Sequence, residues 1–180
     1  MTLNHSLIAE LKIEAANTRK MLERVPTDNS DWKPHEKSMK IGNLANHVAE
    51  LPSWINLTME TDELDVSKMD YKPTIATSSE QLVAQLDNAV NNAIFALEKA
   101  DDQDFNKMWT LRNGSHVIFT MPKLAVLRSM VFSHHYHHRG QLSVYLRLLN
   151  IPVPGMYGPS SDDVAALAAA AVAAPVAAAN

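Results

Sequence analysis

Four of the chain's eight histidines fall within five positions, His134, His135, His137 and His138, in a stretch from Ser133 to Leu142 that reads as helix. Residues four apart on an α-helix share a face about one turn apart, so His134 and His138 can aim two imidazoles at one point. Two imidazoles are most of a metal site. Counting from Leu124 through Leu127 and Val131 in steps of three and four reaches His134, His138 and Gln141, so the periodicity predicts that both histidines point inward. His47, beside Leu44, Val48 and Leu51 in an earlier periodic run, supplies a third imidazole at the apolar face or its edge. A buried imidazole without a partner is costly, and a core hydrogen bond satisfies it as a metal would, so spacing alone leaves both readings open. His135 and His137 face away from that line by roughly 100° and 60° and are expected in supporting or solvent-facing positions. His137 is the alternative to His134 in an i, i+3 arrangement, and His5, His35 and His116 are expected at the surface.

A second polar element sits on the first helix, where Leu7, Leu11, Glu14, Thr18 and Met21 place an acid and a hydroxyl on an apolar stripe. Glu14 has four readings: accepting a ligand histidine's N–H, acting as a base, pairing with Arg139, or facing solvent beside the stripe. The chain has no cysteine, which excludes disulfides, thiolate metal ligands and a cysteine nucleophile, so any thiol in the chemistry comes from a substrate. A formal charge of −4 with no sustained basic stripe argues against nucleic-acid binding. No apolar run of 18 residues is present, and the start, Met1 to Ser6, lacks the basic-then-apolar layout of a secretion signal, so a cytoplasmic protein without membrane contact is expected.

Helices must position these groups. Helical spacing predicts helices over Leu3–Val25, over residues 40 to 61 with a bend at Pro52, from Thr77-Ser78-Ser79-Glu80 as a capping box to about Ala100, and from Pro122 to Asn150. Residues 62 to 76 read as an acidic, turn-rich connection, and 105 to 120 as a small hairpin around an Asn113-Gly114 type I′ turn. Gly140 inside the last long helix suggests either close backbone packing or a tolerated glycine. The Pro- and Gly-rich stretch from Ile151 to Ser160 is an irregular crossing loop, and the alanine-rich end is expected to form a short packed helix, frayed beyond Ala174. Residues 1–160 thus read as one helical domain and 161–180 as an alanine-rich helix or tail.

With these residues in hand the chain resembles the DinB/YfiT-like family of metal-dependent bundle proteins. The resemblance is carried by Glu14-Ala-Ala-Asn-Thr18-Arg19, by Trp32 to Met39, by Leu44-Ala-Asn-His47-Val-Ala-Glu-Leu-Pro-Ser-Trp54, and by His134-His-Tyr-His-His138-Arg-Gly-Gln-Leu142. It implies an all-α four-helix bundle of DinB-like connectivity, here with a small β-hairpin before the last long helix and a short C-terminal helix. It also implies a homodimer and a divalent metal held by His47, His134 and His138. Members with assigned activities resemble transferases or hydrolases that use low-molecular-weight thiols, which implies a small-molecule substrate of that class.

Three neutral imidazoles leave a divalent ion, zinc or nickel, with open positions for water or substrate, as in a catalytic site. Glu14 is then the candidate base or orienting group, and Arg139 the candidate to hold a substrate carboxylate. The competing reading is a non-catalytic homodimeric stress-response bundle with a structural metal or none.

Overall fold

The computed structural model describes residues 2–70 and 75–173, and expectations for Pro175 and for fraying beyond Ala174 lie outside them. Helix α1 (Leu3–Leu22) is followed by α2 (Ile41–Glu50) and α3 (Ser53–Glu60). Pro52 lacks an N–H and breaks the expected second helix into these two pieces. Helix α4 (Ser79–Glu98) begins at Ser78, whose hydroxyl accepts from Gln81 N–H, so the cap lies one residue later than Thr77-to-Glu80 spacing predicts.

Two strands, β2 (Met108–Asn113) and β3 (His116–Pro122), form the hairpin, and β1 (Glu63–Asp65) adds a parallel third strand beside β2. The protein is therefore mostly helical rather than all-α, and β1 lies in the stretch read as a loop. The hairpin register pairs Asn113 with His116, so its turn is Gly114-Ser115, not Asn113-Gly114. Only Gly114 there has a positive φ (+59°), the pattern of a type II′ rather than a type I′ turn.

The last long helical rod is not uniform. It runs as α5 (Lys123–Val126), a π-helical segment (Leu127–Ser133) and α6 (His134–Leu148). After Asn150, which takes the left-handed conformation (φ 58°) suited to a helix end, the crossing loop leads to α7 (Ser161–Ala173).

Leu7, Leu11, Met21, Leu44, Val48, Leu86, Val131 and Leu142, among others, make the main core between α1, α2, α4 and the last rod. A smaller core of Trp109, Leu111 and Val126 seats the sheet on the α5 end, and Trp54 packs against both. Burial settles one open reading and overturns one expectation. A Cβ on Gly140 would meet nothing within 4 Å, so it is a tolerated glycine on an exposed face. Helix α7 leaves Val164, Leu167 and Val172 exposed, because alanine offers too little apolar area to hold a helix down. No helix among the described residues is long and apolar enough to cross a membrane.

Candidate metal centre

The π segment decides which histidines face the core. A π turn bonds i to i+5 and takes up one residue more than an α turn, so every position after it slips by one. Residues counted inward at 134, 138 and 141 give way to His135, Arg139 and Leu142, all buried, while Gln141 is exposed. The core-facing placement of His134 and His138 thereby gives way to a half-buried one, and of the two readings of His135 the solvent-facing one is overturned. His134 and His138 end half-buried at the flank of the core facing His47 on α2, and His137 is exposed. His5, His35 and His116 are exposed as expected.

At that flank one ring nitrogen from each of His47, His134 and His138 lies within 4.8 Å of the other two. The Nε2 atoms of His138 and His134 are 2.8 Å apart, and those of His47 and His134 are 3.5 Å apart. Each Nδ1 faces an oxygen: Glu50 Oε1 at 3.2 Å for His47, the Met130 carbonyl at 3.2 Å for His134, and Gln141 Oε1 at 2.8 Å for His138. A carboxylate and carbonyl oxygens can only accept, so each Nδ1 carries the proton and each Nε2 presents a lone pair. Three lone pairs turned on one point repel one another unless a cation takes them up. That is a donor set suited to a divalent metal ion, with each ring oriented from behind in the usual manner of metal-bound imidazoles. Burial also holds the His134 and His138 imidazoles below their ordinary pKa range, which favours the neutral form that ligates.

One residue further round α6 lies a second polar cluster. Arg139 donates to the Glu14 carboxylate at 2.5 Å, to the Glu14 carbonyl and Thr18 Oγ1 at 3.1 Å, and to the Tyr157 hydroxyl at 2.5 Å. Tyr157 in turn donates to Glu14 at 2.9 Å. Thr18 gives its proton to the Glu14 carbonyl (2.8 Å), so its lone pairs accept from Arg139 and from His135 Nε2–H at 3.2 Å. Burial drives the pKa of His135 down to about 3, with the Arg139 charge adding to the effect. Of the four readings of Glu14, the pairing with Arg139 is the one the geometry contains. Both side chains are buried, and no hydrogen bond links either to the three clustered histidines among the described residues.

Tyr157 reaches this cluster because acids at the start of α7 fold the crossing loop back. Asp162 accepts from Val153 N–H and pairs with Arg147, and Asp163 accepts from the N–H groups of Gly155 and Ser160. Spacing does not reveal Tyr157, His135 or the Met130 carbonyl. Glu50 and Gln141 do leave a trace, since each stands three residues after a clustered histidine, on the same helical face.

Fold and site together define a mostly helical protein with a three-histidine group that could hold a metal ion. The chain belongs to the DinB family, whose model matches residues 1–171. It is 26% identical over 162 residues to the uncharacterized protein YrdA of Bacillus subtilis (strain 168), covering 90% of this chain and 92% of YrdA. Solved structures share the fold, among them two from Bacillus species. A DinB-like protein from Bacillus cereus ATCC 10987 matches with TM-score 0.66 at 21% identity, covering 87% of this chain and 98% of that one. The DinB-like protein YjoA from Bacillus subtilis matches with TM-score 0.64 at 18% identity, covering 86% and 99%.

Proposed function

We propose that this protein is a divalent-metal-dependent enzyme whose metal is held by His47, His134 and His138, with zinc or nickel as the native ion. The carrying observation is that three oriented Nδ1–H groups leave three Nε2 lone pairs aimed at one another. When bound, a divalent ion at such a site lowers the pKa of a coordinated water or thiol and so supplies a nucleophile at neutral pH.

The chain's own residues do the rest. Glu50, Gln141 and the Met130 carbonyl hold the imidazole planes and their tautomers. The Glu14–Arg139 pair fixes α6 against α1 and the crossing loop, as a positioning pair rather than a group that meets substrate. The absence of cysteine leaves a thiol substrate as the sulfur source, and the family resemblance favours thiol transfer over hydrolysis. We further propose a cytoplasmic homodimer, with residues 1–160 as the functional unit in a four-helix-bundle arrangement. Exposed Val144, Leu148 and Leu167 are the apolar surface such a dimer would cover.

The test is metal content per chain by plasma mass spectrometry on untagged protein, beside His47→Ala and His138→Ala. The expected result is about one ion per chain in the wild type, lost in both variants. Wild-type protein that is metal-free and resists reloading overturns the proposal and leaves a non-catalytic histidine-cored bundle.

A further inference from the structure

The three clustered histidines fix their Nδ1 protons in two different ways. On α2 and α6, His47 and His138 each turn to a side chain three residues on, Glu50 at 3.2 Å and Gln141 at 2.8 Å. In those α-helices the carbonyl four residues back is already taken by the histidine's own backbone N–H. Three residues after His134 stands His137, which is exposed and brings no oxygen. His134 instead reaches back four residues, to the Met130 carbonyl at 3.2 Å. Met130 lies in the π segment, and there the His134 N–H donates to the Val131 carbonyl rather than to that of Met130.

π turns are rare, and those that persist fall often at functional sites. The buried stripe of this rod shows what the turn does for the fold. Lys123, Leu127, Val131, His135 and Arg139 are all buried and stand four apart, a spacing that α winding throughout would carry round by roughly 160°. Removing one exposed residue, Ser129 or Ser133, turns one step of four into a step of three and brings the stripe back towards one face of an ordinary α-helix.

We propose that the π turn serves the histidine trio rather than the core. Its winding keeps the His134 N–H off the Met130 carbonyl, which is then free to hold the Nδ1 proton and to aim Nε2 at His47 and His138. Met130 is thereby a positioning residue that acts through its backbone. The consequence for metal binding rests on the metal-centre reading above, whereas the hold on the His134 tautomer does not.

The experiment joins long-range 1H–15N NMR of metal-stripped protein, at a pH where the imidazoles are neutral, to a chelator competition for zinc. Both are run on the wild type and on single-residue deletions of Ser129 and of Ser133. The expected result is Nδ1–H at His134 in the wild type, moved towards Nε2–H in each deletion that folds, while His138, held by Gln141, keeps its proton on Nδ1. Zinc affinity should fall about 10- to 100-fold alongside. A wild-type His134 protonated at Nε2, a tautomer or a zinc affinity that the folded deletions leave unchanged, or failure of both deletions to fold overturns the proposal. Wild-type protein that binds no zinc yet shows the tautomer shift upholds the hold of the π turn on His134 while overturning the metal centre, so the two failures are distinct.

Discussion

Two polar clusters ride on α6 one residue apart and resolve their burial in opposite ways. In the inner one, His135 and Arg139 face the core, and Glu14, Thr18 and Tyr157 meet them donor to acceptor. In the outer one, His134 and His138 face His47, their Nδ1 atoms have acceptors, and their Nε2 atoms meet only the other ring nitrogens of the trio among the described residues. A network closed on itself holds structure together, whereas one that is ordered on one side and open on the other could hold a metal ion. The same helix thus carries a brace and a receptor, and the comparison can be attacked on either side.

The largest effect is expected from the brace. Arg139→Met leaves the Glu14 carboxylate buried without its cation and should cost about 3–5 kcal/mol in denaturant unfolding. The double variant Glu14→Leu/Arg139→Met should recover most of that loss. If the single variant is as stable as the wild type, the inner cluster is not a brace. On the receptor side, Glu50→Gln should weaken metal affinity about 10- to 100-fold in a chelator competition, with the unfolding midpoint of the metal-stripped protein almost unmoved. A parallel loss of stripped-protein stability would erase the distinction between the clusters.

Acid should separate them next. His135 titrates near 3 when folded and near its ordinary 6.5 when unfolded, so the unfolded chain binds more protons between those values. Stability from this neutral histidine is complete above about pH 6.5 and falls as pH drops toward 3. His135→Gln should flatten that acid limb in a series of melts from pH 7 to pH 4. The smallest effect belongs to Tyr157→Phe, which removes one hydroxyl between Arg139 and Glu14 at a cost of about 1 kcal/mol. Its readout is faster amide exchange over residues 153–160, with metal content unaltered.

The grouping of His47, His134 and His138 was legible in the sequence because a four-residue spacing survives any rotation of the helix as a whole, and His47 stood in its own periodic run. Their orientation was not, because it depends on a π turn among Leu127 to Ser133, where nothing in the residue types departs from an ordinary apolar helix. The pairing of Glu14 with Arg139 stood among several readings that only tertiary contact could separate. Tyr157 was beyond reach, since its contact with Glu14 crosses 143 positions of chain. Strand β1 was missed because three residues hold no periodicity, and its parallel partner is far along the chain. The packed terminal helix failed because alanine's preference for helix says nothing about whether a surface will take that helix up.

The extra residue in the π segment also sets how relatives should be aligned. A homologue whose rod is α-helical throughout must carry its histidine pair one position earlier, relative to its own core residues, to reach the same point in space. An alignment forced to match histidine to histidine will then place a one-residue gap inside that segment. Such a gap marks a change of winding rather than a lost piece of chain, and it offers a way to sort these proteins by helix geometry before their structures are known.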